Sequence, residues 1–141
     1  MNPGVQLTLV DFRTTKPTVV FADDDPATLT VAADALGAAG FKVIKVADGQ
    51  QALQEALSRK VDLVFLDVSI PQVDGVEACH CLKAMPKTAK IPVVLMAAKK
   101  DPVVRSLGER MNGCAHFLRK PFTPEELVEA AKKSVRQRSL L

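Results

Sequence analysis

Four charged residues of this chain stand where short apolar runs stop. Asp23 and Asp24 follow 18–22, Asp67 follows 61–66, and Lys120 follows 115–118. Packed together, three carboxylates repel one another and some of their pKa values rise unless a cation sits among them. A hard divalent ion with oxygen ligands, such as Mg²⁺, resolves that conflict. With one carboxylate as nucleophile, the same ion neutralises an incoming phosphoryl group. Lys120 can add a point charge to that group. Taken singly, an aspartate that ends a strand is more often a helix cap or turn former, and Asp25 before Pro26 reads that way. The joint placement of four charges on three strand ends makes chemistry the better reading.

Those ends must be held by regular elements, and the sequence supplies them in alternation. Thr18-Val-Val-Phe-Ala22 reads as a strand, and the Ala- and Leu-rich stretch to Ala39, closed by Gly40, as a helix. Residues 41–46 form a second strand. Asp48 to Lys60 is an amphipathic helix with Ala52, Leu53, Ala56 and Leu57 on one face. Residues 61–66 are nearly all apolar, as a strand covered on both faces must be. A turn at Asp74-Gly75 precedes a helix to Met85, and residues 91–96 are the fourth strand. Asp101-Pro102 opens a helix that Asn112-Gly113 closes, and 115–118 is a short fifth strand. Thr123-Pro-Glu-Glu126 is a capping box that starts a last helix to about Arg138. Five strands alternating with five helices predict a parallel α/β sheet with helices on both faces.

The 141 residues suit one domain. Hydrophobic residues make up 48% and charged residues 25%, which excludes a disordered chain. No apolar run approaches the roughly 20 residues of a membrane helix, and no basic segment followed by an apolar stretch opens the chain. A cytoplasmic location and no membrane contact are therefore expected. Net charge is only +3. Lys132, Lys133, Arg136 and Arg138 follow Glu125, Glu126 and Glu129 on one helix, which reads as complementing its dipole rather than as a nucleic-acid patch. Cys79, Cys81 and Cys114 read as free thiols. Cys79-His80-Cys81 cannot share one ion easily, because helical residues two apart diverge. Residues 1–16 fall outside the pattern and read as an N-terminal extension. Val5, Leu7 and Leu9 alternate there, which fits either an extra strand or a frayed tail.

Asp23-Asp24-Asp25-Pro26, the run 61–67, Pro71, Asp74-Gly75, Ile91-Pro92-Val93-Val94 and Lys120-Pro121-Phe122 together resemble the receiver domain of two-component response regulators. The resemblance covers about residues 17–138, leaving 139–141 as a tail. It implies a flavodoxin-like sheet of five parallel strands in the order 2-1-3-4-5. It makes Asp67 the phospho-acceptor, with Asp23, Asp24 and the backbone carbonyl of Ser69 completing a Mg²⁺ site. Lys120 would contact the phosphoryl group, and Phe117 would be the aromatic that turns inward on activation. Such a domain takes its phosphoryl group from a histidine kinase or phosphotransfer protein. It catalyses only its own phosphorylation and dephosphorylation, and it signals through a protein partner on the strand four to strand five face. A homodimer is compatible with it. Direct nucleic-acid binding is not expected.

One position departs from the family. Thr or Ser usually ends strand four and hydrogen-bonds a phosphoryl oxygen. Here the aligned residue is Ala97, followed by Ala98 and then Lys99 and Lys100. The departure keeps open a second reading, a receiver-like docking module that works without phosphorylation. A third reading comes from Phe21-Ala22-Asp23-Asp24-Asp25, which resembles the start of haloacid-dehalogenase-type phosphatases. That family needs a later acidic pair, and the only aspartate after residue 100 is Asp101.

Overall fold

The computed structural model of the chain describes residues 16–68, 75–98 and 116–140. Five strands lie there: β1 (Thr18–Ala22), β2 (Lys42–Val46), β3 (Leu63–Asp67), β4 (Val93–Ala98) and β5 (His116–Lys120). They form one sheet in the order β2-β1-β3-β4-β5, with every pairing parallel. Four helices are described: α1 (Pro26–Ala38), α2 (Gly49–Ser58), α3 (Gly75–Ala84) and α4 (Pro124–Leu140). The helix expected over 101–113 and residues 1–15 of the expected extension lie outside the described residues.

Alternate side chains of each strand feed two separate cores. Val20, Ala22, Val64, Leu66, Val93 and Leu95 pack toward Ala52 and Ala56 of α2 and toward Ala78, Cys79 and Leu82 of α3. Val19, Phe21, Leu63, Phe65, Val94 and Met96 pack toward Ala32 and Leu36 of α1 and Leu127, Ala131 and Val135 of α4. The Phe21 and Phe65 rings sit 5.3 Å apart in this second core, within the range of favourable aromatic pairing. β3 is buried at all five positions, as a central strand covered on both faces requires.

Local signals set the helix starts. Asp25 caps α1, accepting the Ala27 amide at 3.2 Å and the Thr28 hydroxyl at 2.7 Å. The expected capping box opens α4, with Glu126 N–H donating to Thr123 Oγ1 and Thr123 N–H to Glu126 Oε1. Asp48 Oδ1 accepts the Gln51 amide at 2.8 Å. Asp48→Ala removes that acceptor and is expected to destabilise the chain by about 1 kcal/mol. Urea unfolding should show a lower midpoint with an unchanged slope.

Two expectations are corrected. Leu57 does not share the buried face of α2; it is 40% exposed, and the helix packs through Ala52 and Ala56. Small side chains allow the helix close to the sheet, which turns the Leu57 edge outward. β3, β4 and β5 also reach further than the apolar runs suggest. Pairing continues to Asp67, Ala98 and Lys120, and the Val68 amide still donates to the Met96 carbonyl at 2.9 Å. The ladder overrides the turn preference of aspartate. Asp67 and Lys120 are thus the last rungs of the sheet rather than the first residues of loops, whereas Asp23 and Asp24 follow the end of β1.

Candidate functional site

Parallel pairing puts the carboxyl ends of all five strands on one edge, where open α/β sheets collect their functional groups. Asp23 and Asp24 leave β1 there, Asp67 ends β3, and Lys120 ends β5. Asp23 is fully buried and Asp67 is 2% exposed, whereas Asp24 faces solvent. One carboxylate oxygen from each of the three aspartates lies within 4.8 Å of the others.

Lys120 starts two strands away from Asp67, since β4 stands between β3 and β5. The span is about 10 Å at ordinary strand spacing, and the lysine stem, the Asp67 side chain and the hydrogen bond between them together cover it. β4 presents Ala97 beside Arg119 and Ala98 beside Lys120, so β4 itself places no bulky side chain on those two rungs. Lys120 Nζ donates to Asp23 Oδ2 at 2.6 Å and to Asp67 Oδ2 at 2.5 Å. The Lys120–Pro121 peptide is cis. The second oxygen of Asp23 accepts the Asp25 amide at 3.0 Å. That bond was legible in principle, because aspartate side chains commonly bond the amide two residues on.

The electrostatics follow from burial. Burial pushes the Asp23 carboxyl above its usual pKa, and the Asp67 charge adds to this, although Lys120 and the Asp25 amide pull the other way. Burial also works against charge on Lys120, but hydrogen bonds and Coulomb attraction from Asp23 and Asp67 outweigh it and raise its pKa. Lys120 therefore stays protonated at neutral pH. One lysine against three carboxylates leaves the cluster short of positive charge. The donor set fits a small hard cation, since all its acceptors are carboxylate oxygens that take Mg²⁺ or Ca²⁺ readily.

Asp23, Asp24, Asp67 and Lys120 stand at this edge, Ala97 lies one rung before the end of β4, and Phe117 lies three rungs before Lys120 on β5. Ser69, Lys99 and Lys100 lie outside the described residues. Ala97 is fully buried on the β4 face that carries Val93 and Leu95. Ala98 is exposed, so the two adjacent alanines occupy different environments. Phe117 pairs with Leu95 in register and is 38% exposed. On α3, Cys79 is buried and Cys81 exposed, and this divergence is what the spacing predicts for a trio that does not share an ion.

Known proteins align with this arrangement. The response regulator receiver domain family matches residues 19–132. The alkaline phosphatase synthesis transcriptional regulatory protein PhoP of Bacillus subtilis is 33% identical over 121 residues, 86% of this chain and 49% of that protein. The DNA-binding response regulator MtrA of Mycolicibacterium smegmatis is 32% identical over 124 residues, 88% of this chain and 53% of that protein. The chain thus spans about half the length of these relatives. Among solved structures, a chemotaxis response regulator of Vibrio cholerae superposes with TM-score 0.76 at 25% identity, covering 85% of this chain and 99% of that one. The receiver domain of a sensor histidine kinase from Pseudomonas aeruginosa, described with magnesium in its active-site cleft, superposes with TM-score 0.76 at 27% identity, covering 86% and 98%. With the family matched over most of its length and the sheet order in agreement, this chain belongs to the response regulator receiver domains of two-component phosphorelay signalling.

Proposed function

We propose that residues 17–138 act as a receiver that takes a phosphoryl group on Asp67 from a histidine kinase or phosphotransfer protein. A carboxylate oxygen of Asp67 attacks phosphorus, the donor's P–N bond breaks, and its electron pair returns to the imidazole nitrogen. Asp23, Asp24, Asp67 and the Ser69 carbonyl would hold Mg²⁺, which supplies charge neutralisation to the phosphoryl oxygens. Lys120 turns from the carboxylates to a phosphoryl oxygen, holding it as a point charge. Asp23 is kept in place meanwhile by the Asp25 amide.

The observation that carries this reading is the Lys120 ammonium bridging Asp23 and Asp67, with Asp24 close enough to share one cation. Incubation with a small phosphodonor tests it by intact mass. A gain of about 80 Da, one phosphoryl group, is expected with Mg²⁺ and not with EDTA. An equal gain in EDTA would overturn the metal dependence.

Asp24 is the exposed member of the cluster and contributes a ligand without being buried. Asp24→Ala is expected to weaken Mg²⁺ at least about tenfold, in the range seen when a site loses part of its coordination environment. NMR titration of the amides around 22–25 and 67–68 reads this directly. Unchanged affinity would remove Asp24 from the site.

Ala97 favours a second reading, docking without phosphorylation. A hydroxyl bonded to a charged group contributes roughly 1.5–3 kcal/mol. A ligand shifts a two-state equilibrium only by its differential interaction with the two states. Losing that bond shrinks the shift by about 10- to 100-fold. Ala97→Thr is expected to enlarge the amide shift changes across β4 and β5, including Phe117, when beryllofluoride is added. Ala97 is fully buried and its neighbour Ala98 exposed, so the variant tests whether a hydroxyl fits at this strand end. If the parent chain already rearranges fully and the variant adds nothing, coupling does not run through this position.

A further inference from the structure

The sheet segregates charge between its two edges. Asp23, Asp24, Asp25, Asp48 and Asp67 stand at the carboxyl ends of the strands. At the amino ends the chain carries lysines instead. Lys16 lies two residues before β1, Lys42 opens β2, Lys60 lies three residues before β3, and Lys90 lies three residues before β4. Because β2, β1, β3 and β4 are successive neighbours, the four lysines mark one row along this edge, about 15 Å long at ordinary strand spacing. Backbone bonds tie the segments that carry the row. The Lys42 amide donates to the Pro17 carbonyl at 2.9 Å, the Asp62 amide to Thr18 at 2.8 Å, and the Val64 amide to Pro92 at 3.1 Å.

All four lysines are exposed, and among the described residues none makes an ion pair. None lies in a helix, so complementing the last turn of a helix dipole does not explain the row. The neighbouring cations are already engaged. Lys83 donates to the carbonyls of Ala89 at 3.2 Å and Ile91 at 2.6 Å, and Lys87 to that of Leu57. Arg59 pairs with Glu55 at 2.9 Å. Of the acids near this edge, Glu55 is held by that arginine, and Asp62 Oδ2 accepts the Thr18 amide at 2.8 Å; Asp34 sits on α1, four residues before its end. Leu57, in the last turn of α2 just before Lys60, is 40% exposed. The edge therefore offers a row of unspent point charges with an apolar side chain at its rim.

We propose that this amino edge is a peripheral docking surface for an anionic lipid bilayer, with the four lysines over the headgroups and Leu57 at the boundary of the acyl region. No helix among the described residues is long and apolar enough to cross a membrane, so the contact is interfacial. The expectation of no membrane contact rested on the lack of a spanning segment, which leaves interfacial binding open. Nucleic acid fits the edge less well. Surfaces that bind single strands without sequence preference add aromatic side chains for base stacking, whereas this chain has no Trp or Tyr and Phe41, at this edge, is buried. A bilayer that attracts the lysines also repels the acidic edge, so both forces orient the domain in one sense. The carboxylate cluster then faces away from the bilayer, open to a phosphodonor. The row does not touch that cluster, so this inference stands or falls apart from the phosphoryl-acceptor reading.

Co-sedimentation of the full chain with lipid vesicles tests it. Neutral vesicles of phosphatidylcholine are compared with vesicles of equal parts phosphatidylcholine and phosphatidylglycerol. Near physiological salt the parent is expected to partition at least about tenfold better onto the anionic vesicles, and this preference should fall steeply as salt is raised. Each lysine near such a surface contributes about fivefold, so Lys42→Gln with Lys60→Gln is expected to weaken partitioning about 25-fold. Lys45→Gln with Arg119→Gln removes equal charge nearer the other edge and is expected to change it less than about twofold, because screening acts within about 8 Å. Leu57→Trp introduces the chain's only indole, and its emission should move to shorter wavelength with anionic vesicles alone. Circular dichroism checks that the variants stay folded, and the salt dependence of the parent stands without them. A parent that ignores anionic vesicles, or a Lys42–Lys60 variant that binds as the parent does, would overturn the proposal. So would duplex or single-stranded DNA binding through the same lysines without vesicle binding, which would make nucleic acid the occupant. Unshifted emission from a vesicle-bound chain would overturn the placement of Leu57.

Discussion

Replacing Lys120 with alanine is expected to lower the stability of the metal-free chain by roughly 2–4 kcal/mol. Lys120 offsets two carboxylates that have almost no access to water, Asp23 at 0% and Asp67 at 2%. Removing one partner of a buried pair leaves an uncompensated charge, and that is costlier than the pair was worth. The figure is held below the fully buried case because the lysine side chain is itself 23% exposed. Burial and the Asp67 charge already raise the pKa of Asp23, and Lys120→Ala removes the main opposing influence. A carboxyl with a raised folded-state pKa contributes stability below its unfolded value and loses it as pH rises through the folded value. The deficit of the variant is therefore largest at neutral pH and shrinks as pH falls toward the unfolded value near 3.8. Mg²⁺ should restore part of the loss at neutral pH, because an ion that binds only the folded state stabilises it by mass action. Thermal unfolding of parent and variant, with EDTA and with Mg²⁺, reads all three effects. A variant as stable as the parent in EDTA would mean that the bridge carries no net energy.

Asp67→Asn is expected to abolish phosphoryl labelling, reducing it to background rather than slowing it. The amide has nearly the shape of the carboxylate but lacks the charge that makes it a nucleophile and a hard-ion ligand. Asp23 is poorly placed to substitute, since one of its oxygens accepts the Asp25 amide and the other holds Lys120. Asp24 is exposed and has no lysine beside it among the described ion pairs. Intact mass after incubation with phosphodonor and Mg²⁺ compares the two chains. Persistent labelling of the variant at the parent's level would place the acceptor elsewhere.

Much of this site was legible because strand ends and charged residues coincide in the sequence. Apolar runs of five or six residues stop at Asp23 and Asp67, and Thr123-x-x-Glu126 marks the last helix without ambiguity. Strand order came through the family resemblance, because alternation alone fixes parallel pairing but not which strand is central. The strand ends were less legible. Aspartate favours turns, so the third strand was expected to stop at Leu66, yet ladder bonds to β4 carry it through Asp67. That single residue matters, since it fixes Asp67 on the rigid sheet rather than in a loop. The Lys120 bridge was not readable either, because nothing local indicates that a lysine will cross two strands to reach carboxylates 53 and 97 residues away in sequence. The outward turn of Leu57 escaped for a similar reason: periodicity gives the face of a helix, but only packing against the sheet decides which edge is covered.

The most direct measurement locates the phosphoryl group chemically. An acyl phosphate on aspartate is reduced by borohydride to the alcohol, which marks the acceptor permanently. After phosphodonor, Mg²⁺ and borohydride, tandem mass spectrometry of the proteolysed chain should find the reduced residue at position 67 and nowhere else. Reduction at Asp23 or Asp24, or no reduced residue from a chain that had gained about 80 Da, would contradict Asp67 as the phosphoryl acceptor.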